Sequence, residues 1–325
     1  MTVGIGFLGT GRVAEKHATA LAQVRGAKLA GAWNRTAGKA ADFCGRHGCR
    51  QYETVEALLA DTAIDAVVVL TNTASHLSLA KRAMEAGKHV LLEKPLCETA
   101  DEIAELIRIS KTTGRICMPS HNYIYAEQMR RIHAHLKAGH LGTPVSFWAM
   151  FNNRHDADCG TPDLVMRELM VHHAYAMLYY LGRPEAVVAT ATNVHFTDKA
   201  AHDQIMISAT FANGAIANLW GSFSVDDRSR EPWSVSFRLF GTEGTATASW
   251  DQIKFGPEPE PLWDDAGYLD SFLHVYRFFV EDCVGLGAPP LSRLEDAYDA
   301  AIILRTARQS LSEGRRMDVR YDGSL

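Results

Sequence analysis

The strongest candidate for acid–base chemistry in this sequence is Lys94, a lysine at the end of a short apolar run. Residues 88–95 read Lys-His-Val-Leu-Leu-Glu-Lys-Pro, so Lys94 follows a segment typical of a strand buried on both faces. The helix-like segment 76–87 makes this the closing strand of a β-α-β unit, which puts Lys94 at the carboxyl edge of a parallel sheet. Open α/β sheets bind ligands outside that edge, so Lys94 can reach one. The alternative is a surface turn with a solvated Glu93–Lys94 pair.

A second candidate pair lies on the helix predicted for residues 163–181. Glu168 and His172 are four residues apart and so lie on one face of that helix. A histidine titrates near neutral pH and can pass a proton to or from a reacting oxygen. The alternative is an ordinary pair in which the acid only orients the ring. The sequence therefore offers Lys94, His172 and Glu168 as catalytic candidates.

The elements that must position these groups begin with a glycine-rich turn. Residues 3–8 are typical of a buried strand, residues 9–14 read Gly-Thr-Gly-Arg-Val-Ala, and a helical pattern follows to about Val24. In this context Gly9 permits a tight turn, Gly11 lets a pyrophosphate approach the backbone, and the first amides of the helix hold the phosphates. The residues predicted to bind a dinucleotide here are Gly9, Thr10, Gly11, Arg12 and Val13.

The second predicted strand, residues 28–33, ends where an acid usually bonds the ribose hydroxyls of the adenosine. Asn34, Arg35 and Thr36 stand there instead, and no acid is present. An amide, a guanidinium and a hydroxyl can bind a 2′-phosphate, with added charge from Arg12, so NADP is favoured over NAD. Two alternatives stay open, because Asn34 can bond a free 2′-hydroxyl and Arg35 can stack on adenine.

Two further strand ends carry polar residues to the same predicted edge. The strand predicted for residues 64–70 leads to a polar segment, residues 71–76, in which Ser75 is expected to cap the next helix. The strand predicted for residues 115–118 leads to His121-Asn122-Tyr123, where we place the domain boundary. Together with the Glu93-Lys94-Pro95 corner, these strand ends add six residues to the predicted cofactor site: Thr71, Asn72, His76, Glu93, Lys94 and Asn122.

Composition and charge are those of an ordinary globular protein. The 325 residues suffice for two domains, 47% are hydrophobic, and the formal net charge is −5. We expect neither a nucleic-acid nor a membrane partner, because the chain has no basic run and no apolar stretch of about 18 residues. With no signal peptide before the first strand and no C-x-x-C pair, a cytoplasmic, reducing compartment is expected. Cys44, His47 and Cys49 lack a usual zinc spacing, so no metal site is predicted.

Three of these features together carry a family resemblance. The turn at residues 9–14, the Glu93-Lys94-Pro95 corner and Asn122-Tyr123 resemble the glucose-fructose oxidoreductase, inositol dehydrogenase and rhizopine-catabolism family (Gfo/Idh/MocA), essentially end to end. The resemblance implies an α/β protein. Residues 1–121 would form a Rossmann domain with a doubly wound parallel sheet, and residues 122–325 an α+β domain with a large, mostly antiparallel sheet for substrate binding and oligomerisation.

The resemblance also assigns roles to residues of the second domain. Family members carry an Asp or Glu, then a His four residues on, then a Gly ten after the His; here these are Glu168, His172 and Gly182. Tyr175 stands where many relatives have an aspartate, so the role of that aspartate is absent. Asn153 and Arg154 belong to a polar cluster at the end of the strand predicted for residues 145–151; they could contact substrate hydroxyls, and a solvated loop is the alternative. The substrate-binding candidates are Lys94, Tyr123, Asn153, Arg154, Glu168, His172 and His173.

From Ala186 onward the pattern indicates strands, with Asn213-Gly214 as a hairpin turn. Alternation along these strands should turn one apolar face toward helices and the other toward a partner subunit. The family resemblance implies an oligomer contact on this sheet, so the expected assembly is a homodimer or homotetramer through the C-terminal sheet.

The resulting interpretation is an NAD(P)-dependent oxidoreductase that transfers hydride between nicotinamide and a carbinol or carbonyl carbon of a sugar, polyol or sugar derivative. In the family the lysine that corresponds to Lys94 is a catalytic residue, and the bond between it and the following proline is often cis. The resemblance therefore implies both properties for Lys94 and Pro95. Two rivals from other classes are a non-catalytic dinucleotide-sensing regulator and an NAD-dependent glycosidase of the same fold. The presence of both Lys94 and His172 argues against a non-catalytic regulator. Against the glycosidase only the rarity of such enzymes in this fold can be cited.

Overall fold

The computed structural model describes residues 2–154, 163–196, 202–225, 235–249 and 265–321. The chain forms two compact units. The first comprises Met1–Ala126, Leu269–Tyr298 and Ser324–Leu325, and the second Glu127–Tyr268 and Asp299–Gly323. These units are defined by compactness and combine separate segments of the chain, so they do not test the division into domains predicted between residues 121 and 122. That division stays a prediction.

The first unit contains the six strands and six helices of the amino-terminal part of the chain. In chain order they are β1 (Val3–Leu8), α1 (Arg12–Leu21), β2 (Ala27–Trp33), α2 (Ala37–His47), β3 (Arg50–Gln51), α3 (Val55–Ala60), β4 (Ala66–Val69), α4 (His76–Glu85), β5 (His89–Leu92), α5 (Ala100–Thr113), β6 (Cys117–Pro119) and α6 (Asn122–Tyr125).

These strands form one parallel sheet in the order β3-β2-β1-β4-β5-β6. All four residues of β4 are buried, which is the burial expected of a strand covered on both faces. The strand order reverses between β1 and β4, and their carboxyl ends lie side by side because Leu8 is in register with Val69. The predicted doubly wound parallel sheet is confirmed.

The remaining elements begin at residue 127. They are α7 (Glu127–Lys137), β7 (Pro144–Asn152), a π-helical turn (Met166–Met170), α8 (Val171–Leu181), β8 (Ala186–Thr192), β9 (Gln204–Thr210), β10 (Ile216–Ser222), β11 (Val235–Gly241), β12 (Thr245–Ser249), α9 (Asp265–Arg277), a second π-helical segment (Phe278–Gly285), α10 (Leu294–Glu313) and β13 (Met317–Asp318).

The second unit is built on a seven-stranded sheet in the order β12-β11-β7-β10-β9-β8-β13. Among the described strands of this sheet only β7 and β10 pair in parallel, so the predicted mostly antiparallel sheet is confirmed. The predicted hairpin is also confirmed, since β9 and β10 pair antiparallel across Asn213-Gly214 and Gly214 has φ 85°.

Helix α8 packs into the core of the second unit and is buried along most of its length. Gly221 on β10 leaves room for the π-helical turn that precedes α8, because a Cβ built at Gly221 would lie 3.0 Å from the sulfur of Met170. Gly182 ends the helix with φ 76°, a conformation that side chains other than that of glycine rarely adopt. Within the described residues, no helix is long and apolar enough to cross a membrane.

Candidate functional site

The glycine turn between β1 and α1 lies at the carboxyl edge of the parallel sheet. Gly9 has φ 108°, and a Cβ built there would lie 2.8 Å from the carbonyl oxygen of Leu70, so only glycine fits this close approach to the end of β4. The amide of Thr10 donates to Oδ1 of Asn34 at 3.2 Å. The turn and the end of β2 are thereby tied together.

The same turn leaves the space that a dinucleotide needs. A Cβ built at Gly11 would meet no atom within 4 Å, and Gly11 is the residue that precedes the first amides of α1. The hydroxyl of Thr10 is buried and has no partner among the described residues. Arg12 is exposed at the first position of the helix, and Val13 follows it half-buried. Open space, helix amides and an unsatisfied hydroxyl fit the phosphates of a dinucleotide.

The corner after β2 is organised by Asn34. Its Nδ2 donates to the carbonyl oxygen of Thr36 at 3.2 Å, while its Oδ1 accepts from Thr10. The side chains of Arg35 and Thr36 are exposed. Both polar atoms of Asn34 therefore hold the corner in shape, and the side chains of Arg35 and Thr36 reach into solvent.

The segment after β4 differs from the prediction at Ser75. Its hydroxyl donates back to Oγ1 of Thr71 at 2.7 Å and to the carbonyl oxygen of Asn72 at 2.8 Å, and it makes no cap bond to α4. The predicted capping role is wrong, because residues 73–75 form a 3₁₀ turn and Ser75 has helical φ and ψ of −99° and −4°. A capping residue needs an extended backbone, as Thr99 has before α5.

His76 connects two of the predicted strand ends. Its Nε2 lies 3.0 Å from the carbonyl oxygen of Thr71, and its Nδ1 lies 3.1 Å and 3.0 Å from those of Pro95 and Leu96. The ring is buried. His76 thus holds the segment after β4 against the corner that carries Lys94.

Glu93, at the end of β5, is the centre of a buried polar network. Its Oε1 accepts from the hydroxyl of Ser120 at 2.7 Å and lies 3.1 Å from Nε2 of His17, whose Nδ1 lies 2.9 Å from the hydroxyl of Tyr276. Its Oε2 accepts from the backbone amide of Lys94 at 3.0 Å. Glu93 therefore links the backbone of Lys94 to α1 and to the residue after β6, and through His17 to α9.

The charge of Glu93 is stabilised by this network. Burial by itself raises the pKa of the carboxyl, but the hydrogen bond and charge of His17, the hydroxyl of Ser120 and the charge of Lys94 outweigh burial and lower the pKa from 4.5 to about 2. A sequence signal for this network existed, since His17 lies on the buried, apolar face of α1 beside Ala14 and Leu21. Its partners could not be inferred from that position alone.

Lys94 follows Glu93 at the carboxyl edge of the sheet and is half-buried. Its bond to Pro95 is cis, as the resemblance implied. The catalytic role of Lys94 stays a prediction. Its position at the carboxyl edge of the sheet, next to the 71–76 segment that His76 holds against this corner, is the one that the sequence predicted.

The residues after β6 are packed into the first unit. Nδ2 of Asn122 donates to the hydroxyl of Ser271 at 2.7 Å, and Nδ1 of His121 lies 2.7 Å from the hydroxyl of Ser292. Burial lowers the pKa of His121 to about 3, so its ring is neutral at physiological pH. Tyr123 is 1% exposed. These side chains anchor residues 269–298, and contacts of Asn122 with cofactor and of Tyr123 with substrate stay predictions.

In the second unit, Glu168 lies in the π-helical turn and His172 lies in the first turn of α8. A π-helical turn is wider than an α-helical one, so the four-residue spacing does not by itself pair the two side chains. Their pairing stays a prediction. Nδ1 of His172 lies 2.6 Å from the hydroxyl of Tyr175, a contact that was not predicted from the sequence.

His173 points into the core of the second unit. It is fully buried, its Nε2 donates to the carbonyl oxygen of Trp220 at 2.9 Å, and its ring lies 6.0 Å from that of Phe237. Burial lowers the pKa of His173 to about 4, although the bond to Trp220 opposes this shift. This is the environment of a core residue, and substrate contact by His173 stays a prediction.

Asn153 and Arg154 follow β7. The amide of Asn153 donates to the carbonyl oxygen of Ser222 at 3.0 Å, which extends the pairing of β7 with β10 by one residue. Arg154 is exposed, and the next described residue is Asp163. The substrate contacts proposed for Asn153 and Arg154 stay predictions.

The six-stranded parallel sheet and its glycine turn define the first unit as a dinucleotide-binding Rossmann domain. Comparison with known proteins agrees with this class. Residues 3–121 match the model of the Gfo/Idh/MocA oxidoreductase family with an NAD-binding Rossmann fold, and residues 129–247 match the model of its C-terminal domain. The chain belongs to the Gfo/Idh/MocA family and is an NAD(P)-dependent oxidoreductase.

Individual relatives extend over most of the chain. UDP-N-acetylglucosamine 3-dehydrogenase of Acidithiobacillus ferrooxidans is 30% identical, over 84% of this chain and 76% of the relative. Inositol 2-dehydrogenase of Rhizobium meliloti is 28% identical, over 98% of this chain and all of the relative. A putative myo-inositol dehydrogenase from Sinorhizobium meliloti 1021 has the same fold, with a TM-score of 0.88, 22% identity and coverage of 98% of this chain and 100% of that chain.

Proposed function

We propose that this oxidoreductase transfers hydride between nicotinamide and a carbinol or carbonyl carbon of a sugar, polyol or sugar derivative. The observation that carries the proposal is Lys94, anchored through its backbone to Glu93 at the edge where the glycine turn would hold the dinucleotide. Two relatives are named for the oxidation of a nucleotide sugar and of inositol, and both substrates present secondary hydroxyls.

The bound nicotinamide supplies the hydride chemistry, and the protein handles the hydroxyl proton. In oxidation, Lys94 as a neutral amine takes the hydroxyl proton while the carbon loses hydride; in reduction, its ammonium returns the proton. His172 bonds the reacting oxygen, and Glu168 orients His172 or the substrate. Tyr123, Asn153, Arg154 and His173 complete the proposed set of substrate-binding residues.

A substrate panel tests this function. Sugars, inositols and sugar acids would each be mixed with enzyme and either dinucleotide, and formation of the reduced nicotinamide would be followed by its absorbance. Dinucleotide-dependent turnover of a hydroxyl substrate supports the proposal. Release of free sugar from an aryl glycoside without net nicotinamide reduction would favour the glycosidase, and dinucleotide binding with no turnover would favour the regulator.

For the cofactor we propose NADP in preference to NAD. The corner after β2 carries no carboxylate, and the exposed guanidinium of Arg35 can meet a 2′-phosphate. Asn34 supports this arrangement, because its two hydrogen bonds hold Thr36 and the glycine turn in place.

Replacing Asn34 with aspartate is expected to lower the preference for NADP over NAD, measured as the ratio of kcat/KM values, by at least about tenfold (about 1.4 kcal/mol). The new carboxylate repels the 2′-phosphate but can still accept from the amide of Thr10. Asn213→Asp is the matched control, since Asn213 bonds the amide of Ala215 in a distant hairpin. A wild-type enzyme that prefers NAD would refute the assignment.

We further propose a homodimer or homotetramer that forms through the outer face of the C-terminal sheet. On this face Trp148 is 51% exposed, Met206 48%, Ile216 48% and Val188 41%. The alternate positions Phe147 and Ala149 of β7 and Ala217 and Leu219 of β10 are buried on the other face. Exposed apolar side chains on neighbouring strands support a subunit contact.

Ile216→Glu is expected to shift the assembly toward monomers, with at least a tenfold weaker association (about 1.4 kcal/mol), because it places a charge in an apolar contact. Sedimentation velocity measures the shift. Leu286→Glu is the control, because Leu286 is 80% exposed and belongs to the other unit. An unchanged oligomer in Ile216→Glu would place the interface elsewhere.

The proposed compartment is the cytoplasm. The described cysteines are all free thiols, namely Cys44, Cys49, Cys97, Cys117 and Cys283. Free thiols are typical of a reducing compartment, which supports the proposal.

A further inference from the structure

Tyr175 and His172 form a buried hydrogen-bonded pair on α8. They are three residues apart on one helix face, Oη of Tyr175 lies 2.6 Å from Nδ1 of His172, and the two rings meet edge to face at 72°. His172 is 4% exposed and Tyr175 2%. In such a position the direction of the hydrogen bond fixes which nitrogen of the imidazole carries hydrogen.

The direction follows from the chemistry of the two groups. A neutral imidazole has one N–H and one basic nitrogen lone pair, whereas a phenol has an O–H whose ordinary pKa is about 10 and an oxygen that is a much weaker base than imidazole. The favourable arrangement therefore has the phenol donating to the nitrogen. A carboxylate in place of Tyr175 would act in the opposite sense, because an ionised carboxylate can only accept and would select hydrogen on Nδ1.

The surroundings of the pair favour a fixed ring. The ring of Phe151 on β7 lies 6.1 Å from that of His172. The adjacent His173 is held separately by the carbonyl of Trp220, which can only accept and so fixes hydrogen on Nε2 of His173. Each of the two neighbouring histidines is thus assigned one tautomer by a different partner.

We propose that Tyr175 holds His172 in the tautomer with hydrogen on Nε2, so that His172 donates a hydrogen bond to the reacting oxygen and does not act as the base. The consequence for turnover rests on the proposed function. In oxidation bound nicotinamide would accept the hydride, and the hydroxyl proton would go to the amine of Lys94. Nε2–H of His172 bonds the same oxygen throughout and keeps its proton. In reduction the bond polarises the carbonyl, which takes hydride at carbon and the proton of Lys94 at oxygen.

The tautomer can be measured without a substrate. In the full chain labelled with ¹⁵N-histidine, at a mildly alkaline pH where imidazole is neutral, the shifts and proton couplings of the ring nitrogens identify which one carries hydrogen. Loss of one set of signals in His172→Gln assigns His172 among the 14 histidines. We expect a protonated Nε2 and a bare Nδ1 in the wild type. A protonated Nδ1 would overturn the proposal.

Variants of Tyr175 provide the causal test. Tyr175→Asp is expected to move the hydrogen to Nδ1, and the nearly isosteric Tyr175→Phe to give a mixture of both tautomers. Tyr180→Phe is the matched control, because it removes a buried phenol on the same helix that bonds the carbonyl of Met129. It should leave the signals of His172 unchanged. An unchanged tautomer in a folded Tyr175→Phe or Tyr175→Asp protein would show that another group selects it.

Kinetics separate this inference from the proposed function. If Nε2–H donates to the reacting oxygen, His172→Ala should lose roughly 10²-fold in kcat, and His172→Gln, which keeps an N–H donor of similar reach, should recover at least about tenfold of that loss. Equal losses in both variants would overturn the donor role. Full turnover in His172→Ala with the expected tautomer would remove His172 from the proposed function but leave the assignment by Tyr175 intact.

Discussion

Lys94→Ala is expected to lower turnover by roughly 10²- to 10⁴-fold, the usual contribution of a positioned acid or base, while dinucleotide affinity stays within a few-fold of the wild type. The two effects separate because the phosphates and adenosine would be held by the Gly9–Gly11 turn and the Asn34 corner. Steady-state kcat on a verified substrate and dinucleotide Kd by calorimetry measure both quantities in one preparation.

Two controls identify what the lysine contributes. Lys94→Arg introduces a guanidinium, which stays protonated and can neither take nor release a proton near neutral pH, so it should be nearly as slow as Lys94→Ala. Lys81→Ala removes a lysine that pairs with Glu105 at 3.1 Å on the helices, and it should leave turnover unchanged. Near-normal turnover of Lys94→Ala would make Lys94 a structural corner residue and pass the catalytic role to His172.

The double variant tests whether Lys94 and His172 act on one oxygen. If His172 only orients substrate, His172→Ala should cost less than Lys94→Ala, and if it shares the proton the two losses should be comparable. The donor role proposed for His172 favours the smaller loss. If the two residues act on one proton, the double variant should be far from additive, because removal of the proton carrier leaves little for the second residue to assist.

Glu93→Gln is expected to lower the free energy of unfolding by about 3 kcal/mol at neutral pH, the scale of breaking a buried charged hydrogen-bond network. The change neutralises the partner of the buried His17. The new side-chain amide also brings an N–H₂ group that faces another donor in either orientation. That donor is the backbone N–H of Lys94 in one orientation, and His17 and the hydroxyl of Ser120 in the other. Urea denaturation followed by circular dichroism measures the loss.

The pH dependence of this difference has a defined sign. The pKa of Glu93 is about 2 in the folded protein and near its usual 4.5 when unfolded, so the carboxylate contributes stability above about pH 4.5 and loses it as pH falls toward 2. The difference in free energy of unfolding between wild type and Glu93→Gln should therefore be constant above about pH 4.5 and become smaller as pH falls from there toward 2. A gap that is negligible at neutral pH, or that does not narrow in acid, would contradict the assignment.

Glu105→Gln is the matched control for Glu93→Gln. The carboxylate of Glu105 pairs with Lys81 where both side chains are about a third or more exposed to solvent. Such pairs contribute about 0.5 kcal/mol or less, because water and salt screen them. Glu105→Gln should therefore change the free energy of unfolding little at any pH in the window.

The sequence by itself determined the parts of this protein that depend on neighbouring residues. The strand-Gly9-Thr10-Gly11-helix pattern and the apolar run before Glu93 are local signals, because alternation, turn chemistry and burial on both faces are written within a few residues. Both elements lie where they were predicted, and the parallel order of the strands follows from the β-α-β rule.

Only the tertiary structure decided how these elements are held. His17 and Tyr276 are 259 residues apart, and Asn122 and Ser271 are 149 apart, so no local pattern could pair them. Each pair forms because a buried polar group is removed from water, so its hydrogen bond must be made by another group of the protein. The same reason explains Ser75, whose hydroxyl found nearer partners in a 3₁₀ turn than the helix it was expected to cap. It also explains Tyr175, whose identity the sequence gives but whose bond to His172 depends on the buried geometry of α8.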